Sequence, residues 1–393
     1  MDPARTSWPA VLLALGAGVG AAFQVGKAPI ALPFLRPELD LDLSAASWVL
    51  SILALLGAVA GGIMGSLITR LGARRMLPFG LLLLSAASLA GGFAPNFPLL
   101  LLSRAVEGVG LMVVVIAAPA LITLLTRQED RAIAFGLWAC FMPFGVSVSM
   151  MAAPALPVLG WRGLWLVMAG FLAAYAVLVH ILMPRPQAPP QAENGHLGAD
   201  LWRTMTSAGP IQLATIFICY TTAYMALTGF LPTLLIERMG VSPGTAGLMT
   251  AAVAGANILG NLLTGPLLRL GVPRWLPILF ASMVIGVCSY WIFDPQVPAA
   301  TAYGLSLAFS AFGGLLPGCV LGGAALLAPE RRLVPVTLGL AMQGSNIGQM
   351  LGPALVGAAV TAAGWGAARW VLIPITAVGI MLTLVLRRTL KAS

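Results

Sequence analysis

Three charged residues, Lys27, Arg104 and Glu107, lie inside long apolar runs. If those runs cross a bilayer, each ionised group costs about 2.5 to 3.5 kcal/mol at the membrane centre on insertion scales, so such residues mark function by default. Arg104 and Glu107 are three apart and share a helix face. They can neutralise one another, which is the structural reading of the pair. The three charges together still sum to plus one, and a positive site with low-dielectric walls favours an anion. The second half of the chain has no Asp, Glu or His within its apolar runs. Proton coupling through a carboxylate would therefore run through Glu107.

The second half offers neutral polar groups instead. Tyr220, Thr221, Tyr224 and Thr228 fall on one helix face, Asn257 and Asn261 lie one turn apart, and Gln343, Asn346 and Gln349 follow further on. Groups of this kind often join helices, worth about 0.6 kcal/mol each. Collectively they fit a half-site for the polar end of a substrate, with Tyr224, Gln343 and Asn346 as the expected contacts. An enzyme needs convergent acids, bases or metal ligands, yet the histidines are His180, near a helix end, and His196. Cys140, Cys219, Cys288 and Cys319 lie in apolar segments without metal-ligand spacing. No cofactor, metal or catalytic residue is expected.

The elements that hold these residues follow from composition. Only 33 of 393 residues are charged, 59% are hydrophobic, and mean hydropathy is +0.97. A soluble protein carries about 25% charge, so the apolar surface must face a bilayer. The runs lack the alternation of a barrel wall. The expected spans are 9–34, 45–67, 76–94, 97–124, 132–157, 163–183, 209–233, 244–267, 275–293, 299–327, 336–361 and 370–386. The first carries Gln24 and Lys27 and reads as a retained helix, not a signal peptide. Alternate connections hold fifteen basic residues on one side, including Arg70, Arg74, Arg75 and Arg269, against Arg36, Arg162, Arg238 and Arg369 on the other. Cytoplasmic loops are rich in Lys and Arg, so both termini are expected to be cytoplasmic, in a bacterial inner (plasma) membrane. The basic residues form no aromatic-flanked stripe, so no nucleic-acid partner is expected. Membrane lipid and a small-molecule substrate are the expected partners of a monomer. A polar, Pro-rich stretch after Met183 divides the chain into residues 1–183, a linker at 184–208, and residues 209–393.

The halves repeat. Pro33, Leu35, Glu38 and Arg70-Leu71-Gly72 lie 199 residues before Pro232, Leu234, Glu237 and Arg269-Leu270-Gly271. The stretch Gly65-Ser-Leu-Ile-Thr-Arg-Leu-Gly-Ala-Arg-Arg75 resembles the signature loop of the major facilitator superfamily, with Thr69 where that family usually has an acidic residue. Arg104-Ala-Val-Glu107-Gly-Val-Gly110 and Gln343-Gly-Ser-Asn346-Ile-Gly348-Gln349-Met-Leu-Gly352-Pro353 are also similar to its patterns. Within the family, Val25-Gly-Lys27-Ala-Pro-Ile-Ala-Leu-Pro33 and Gly229-Phe-Leu-Pro232 resemble the cyanate and nitroimidazole porter group.

The resemblance implies an all-α membrane protein with twelve transmembrane helices in two pseudo-symmetric six-helix bundles. It implies alternating access around a cavity lined by spans one, four, seven and ten. Lys27 then faces that cavity with Gln24 and Gly20 on the same helix face, or snorkels outward to the headgroups. Arg70, Gly72, Arg74, Arg75, Arg269 and Gly271 would form the gate. Gly57, Gly61, Gly62 and Gly65 in span two and Gly255 and Gly260 in span eight read as sliding contacts between the halves. Two transport readings stand: a secondary transporter or facilitator for a small organic or inorganic anion, or a proton-driven exporter of lipophilic drugs.

Overall fold

Helix α1 (Trp8–Glu38) starts with Pro9 in its first turn, where the missing N–H costs nothing. Its 31 residues span about 46 Å, more than a hydrocarbon core of about 30 Å. The computed structural model describes residues 5–59, 68, 71–184, 197–330 and 333–392. Among them the structure is all-helical. After α1 come α2 (Leu43–Ser51), α3 (Ala73–Gly92), α4 (Phe97–Leu125), α5 (Arg131–Ala139), α6 (Phe141–Met150) and α7 (Leu156–Leu182). The second half continues with α8 (Leu197–Met205), α9 (Ala208–Met239), α10 (Pro243–Arg269), α11 (Trp275–Ile292), α12 (Ala299–Gly313), α13 (Leu315–Leu327), α14 (Val334–Ala363) and α15 (Ala367–Ala392).

Among the described residues, nine helical stretches are long and apolar enough to cross a membrane. One of these, Ile133–Leu182, runs to 50 residues, room for two crossings. The apolar helix Leu43–Val59 is shorter, and the 30-residue α14 carries the polar groups of Gln343, Asn346 and Gln349. The twelve expected spans are consistent with this arrangement.

Side-chain caps set several of the helix starts. Asp42 accepts from Ala45 N, Asn96 from Leu99 N and Ser242 from Thr245 N, each satisfying an orphan donor of the first turn. Gly240 ends α9 in the left-handed conformation, φ 62°.

The structure differs locally from the sequence reading in two respects. The fifth expected span bends at Cys140, between α5 and α6, and the tenth at Gly314, between α12 and α13. At Gly314 an added Cβ would lie 2.0 Å from the Asn257 carbonyl oxygen, so the bend brings this backbone onto α10. The expected linker also contains structure: α8 is amphipathic, buries Thr204, and ties Arg203 to Glu330 through an ion pair. The Pro-rich residues 185–196 lie outside the described residues.

Buried residues of the second half form one core built on Phe217, Tyr220, Phe230 and Phe309, which also takes in Leu32, Leu43 and Ala46 of the first. A second core belongs to α1, α3, α4 and α7. Between the halves, α2 packs on α14 and α6 on α10. Ser44 N donates to Thr361 Oγ1 and Arg36 faces Glu237 at one end. Ser147 Oγ donates to Ala251 O, and Gln343 Nε2 to Ala58 O, deeper in. Among the described residues, the halves therefore meet from the middle to the end opposite both termini.

Candidate functional site

The three membrane charges form one enclosed cluster. Lys27 Nζ lies 2.7 Å from Glu107 Oε1, and Arg104 Nη1 pairs with Glu107 Oε2. Lys27 also donates to Ser88 Oγ at 2.8 Å, and Ser88 in turn donates to Trp165 O at 2.9 Å. Arg104 donates from Nε to Val49 O and from Nη1 to Gln24 O. Lys27 sits 4.3 Å from the Trp165 ring centroid and Arg104 at 6.0 Å. None of Lys27, Arg104 and Glu107 is more than 1% exposed. Their charge sum is plus one.

This placement corrects one expectation. The polar partners of Lys27, Ser88 and Glu107, are on α3 and α4, and its ring partner is on α7. The ammonium points into its own half, not toward the second half or outward to headgroups. The apolar surface of α1 runs all round the helix, with buried residues on every face, so amphipathicity could not set its rotation.

Gln24 is fully buried, and neither its Nε2 nor its Oε1 has a hydrogen-bond partner. A buried polar group without a partner costs about 1 to 3 kcal/mol. Its own carbonyl is held by Arg104, so the free amide sits beside the charged cluster.

The expected second-half contacts separate. Tyr224 is buried and stacks on Tyr220, centroids 5.7 Å apart. Tyr220 OH accepts from Asn257 Nδ2 at 3.0 Å, and Asn257 also donates to Ser310 O. Gln343 reaches across the halves to Ala58 O, and Asn346 donates to Met342 O within α14. Gly57 faces the Asn346 amide: an added Cβ would lie 2.4 Å from its Cγ. None of Tyr224, Gln343 and Asn346 shares a hydrogen bond with the Lys27 cluster.

Of the expected gate, Arg70 lies outside the described residues, as do Gly61, Gly62 and Gly65. Gly72 and Gly271, 199 apart, have φ 87° and 82°, a backbone that favours glycine. Arg74 Nε donates to Met183 O and Pro184 O, tying the start of α3 to the end of α7. Arg75 and Arg269 are exposed. Gly255 lies against Ser147 of the other half, but Gly260 packs on Ala311 and Gly314 of its own half, so it is not a contact between halves.

Ser88, Trp165 and the Val49 carbonyl were not found from the sequence. Spans three and six lay outside the expected cavity lining, and a neutral hydroxyl or a backbone carbonyl has no signature. The one available signal was Ser85 with Ser88, three apart on α3, which donate to Ala169 O and Trp165 O of α7.

Repeated helical halves, a charged cluster buried in one of them and polar groups at their junction give the chain the architecture of a membrane transporter. The chain belongs to the Major Facilitator Superfamily, whose model matches residues 12–334 and again 213–393. Puromycin resistance protein pur8 of Streptomyces alboniger is 33% identical over 189 residues, 47% of this chain and 36% of that protein. Multidrug efflux pump LfrA of Mycolicibacterium smegmatis is 25% identical over 325 residues, 78% of this chain and 59% of that protein. The chain thus spans less than two thirds of either. Monocarboxylate transporter 11 of Homo sapiens is 28% identical over 360 residues, 84% of this chain and 71% of that protein. A bacterial homolog of the human lysosomal transporter Spinster, in an inward-facing and occupied conformation, shares the fold with TM-score 0.78, 15% identity and 96% of each chain covered.

Proposed function

We propose that this chain moves a small organic or inorganic anion across the membrane by alternating access, as a secondary active transporter or facilitator. The observation that carries this reading is the enclosed Lys27, Arg104 and Glu107 cluster of net charge plus one, beside the unpartnered amide of Gln24. An uncompensated charge in a low-dielectric site is costly, and a bound anion at that amide would offset it. Tyr224, Gln343 and Asn346 would hold the polar remainder of the substrate from the second half. Residues 1–183 and 209–393 would move as two bundles about the 184–208 linker. Arg70, Gly72, Arg74, Arg75, Arg269 and Gly271 would close the terminus end. With both termini cytoplasmic in a bacterial inner membrane, and the chain a monomer, the end joined by Ser44 and Thr361 faces outside. The name of one relative, a monocarboxylate transporter, supports an anionic substrate.

The names of two others, a puromycin resistance protein and a multidrug efflux pump, favour a second reading, proton-driven export of lipophilic drugs. A thermal-shift screen of the purified protein against carboxylates, inorganic anions and lipophilic cations separates the two, because a ligand that prefers the folded state raises its apparent stability. Stabilisation by an anion, lost in Lys27→Ala, is expected. Stabilisation by lipophilic cations alone would overturn the anion reading.

A further inference from the structure

We infer that Lys27 is the group that takes up and gives up the proton coupled to transport. The inference rests on reading the Lys27 cluster as the transport site.

Hydrogen-bond capacity distinguishes the two protonation states of Lys27. An ammonium has three N–H donors, a neutral amine two. Among the described residues, Lys27 Nζ has two oxygen acceptors, Glu107 Oε1 at 2.7 Å and Ser88 Oγ at 2.8 Å. The hydroxyl of Ser88 is committed to Trp165 O, so its oxygen is free to accept. Two N–H groups are thus satisfied by oxygen, and the third proton of the ammonium has only the Trp165 ring, 4.3 Å away. That ring favours a cation, so the charged form is supported without being fixed.

Glu107 is in the opposite position. Each of its oxygens accepts from a different cation, Oε1 from Lys27 and Oε2 from Arg104. Protonating it would leave both cations without their counter-charge and convert an acceptor into a donor. Arg104 does not lose its proton in proteins, and it is held at three places, by Val49 O, Gln24 O and Glu107. Of the three groups, only Lys27 can bring the set from plus one to zero. The step is Lys27–NH3+ to Lys27–NH2 with release of H+ to water on the open side. A bound anion makes the plus-one form neutral, so anion and proton enter together and leave together.

Among the described residues, no second Asp, Glu, His or Lys is hydrogen-bonded to the cluster. On α4 the ionisable side chains facing the site are Arg104 and Glu107 themselves. Helix α3 carries Arg74 and Arg75, and α5 Arg131, toward the terminus end. On α7, Arg162 is engaged with Glu38 at the opposite end, Tyr175 donates to Leu13 O, and His180 lies beyond. Helices α2 and α6 have no Asp, Glu, His, Lys, Arg or Tyr. On α9, Tyr220 OH accepts from Asn257, Tyr224 stacks on Tyr220 with its own hydroxyl buried and unpartnered, Cys219 is buried, and Glu237 and Arg238 lie at its far end. Helix α10 has Arg269 at its last residue.

The chain has just two lysines, Lys27 and Lys391, which makes a direct test simple. Protein labelled with 13C and 15N in lysine only, carrying Lys391→Arg, has one side-chain amine signal. In detergent, without added anion, that signal is expected to move between its ammonium and amine positions as pH is varied over the range in which the protein stays folded. Glu107→Gln, which removes the counter-charge, should hold it in one state across the same range. A wild-type signal fixed throughout, whether as ammonium or as amine, overturns the inference. Adding acetate, as a simple carboxylate, should displace the titration. A signal that titrates but ignores acetate and every anion of the thermal-shift panel leaves the proton assignment standing and sinks the anion reading. A fixed signal in a protein that anions do stabilise does the reverse.

Discussion

Glu38 and Glu237 stand 199 residues apart at the ends of α1 and α9, and each accepts an indole N–H at 2.6 Å, from Trp161 and Trp365 respectively. The repeat then breaks. Arg162 follows Trp161 and binds Glu38 within the first half, Nη2 to Oε1 2.9 Å. Gly366 follows Trp365, and among the described residues Glu237 has no arginine partner in its own half. Arg36 reaches it from the first half at 3.7 Å, and the position 199 after Arg36 is Leu235. One half keeps its carboxylate for itself, and the other lends it to the closure between the halves.

Glu237→Gln is therefore expected to loosen that closure, while Glu38→Gln leaves it alone. Both partners of the Arg36 pair are partly exposed, at 29% and 47%, and such pairs are worth about 0 to 1 kcal/mol. The effect is a bias: the open population at this end should rise at most about fivefold, less at high salt. Labelling of Ser44→Cys by a membrane-impermeant thiol reagent reads it out. Equal labelling rates in the two Glu variants would refute the latch.

Packing of α14 on α9 depends on three glycines one turn apart. A Cβ at Gly344, Gly348 or Gly352 would lie within 2.5 Å of the carbonyl oxygens of Ala214, Ile218 and Thr222, and at Gly348 it would also lie 2.1 Å from Thr221 Oγ1. Backbone cannot step aside as a flexible side chain can, so Gly348→Ala should cost about 1 to 3 kcal/mol through overpacking. Gly339 on the same helix faces open space, and Gly339→Ala should be neutral or gain about 1 kcal/mol. Thermal unfolding of the two variants in detergent makes the comparison, and equal midpoints would refute the close contact.

How far the sequence led depended on what each feature costs. Lys27, Arg104 and Glu107 were legible because charge inside an apolar run is expensive and rare, and the structure places the three in contact. The turns at Gly72 and Gly271 were legible because the 199-residue register repeats them, and both need a positive φ. The direction of Lys27 was not legible, because α1 is apolar all round. Trp165 and Val49 complete the cluster with a ring face and a carbonyl, groups that carry no positional signal, and Ser88 has only its spacing of three from Ser85. The bend at Gly314 comes from close approach to α10, which no local pattern records.

Asp294, in the connection between α11 and α12, should give the acid limb of stability a specific contribution. The Gln296 N–H, bound to Oδ1 at 3.0 Å, holds its carboxyl below the usual carboxylate range despite some desolvation, and Arg369 at 2.7 Å and Arg238 act in the same direction. A carboxyl lowered in the folded state adds stability that is whole above its unfolded value, about 3.9, and is lost as pH falls through the folded value. Wild type should therefore lose melting temperature more steeply than Asp294→Asn below about pH 4, and the two curves should converge at the acid end. Parallel curves would show that the carboxyl is not held down.

Gln24 sets stability against binding. Its amide is buried with a free donor and a free acceptor, each costing about 1 to 3 kcal/mol while unmet. An apolar side chain of similar length removes both penalties, so Gln24→Met should raise the ligand-free stability by about 1 to 3 kcal/mol. The backbone carbonyl that binds Arg104 is unaffected by the change, so the charged cluster keeps that support. If the amide is there to meet a substrate, the same variant should bind a stabilising anion at least about tenfold more weakly, the equivalent of about 1.4 kcal/mol. Both quantities come from one melting series with and without the anion. A variant that is less stable and binds equally well would mean that the amide is satisfied by water and has no part in recognition. A variant more stable yet equally tight would place the substrate elsewhere along the junction, with Tyr224 and Gln343 the next residues to change.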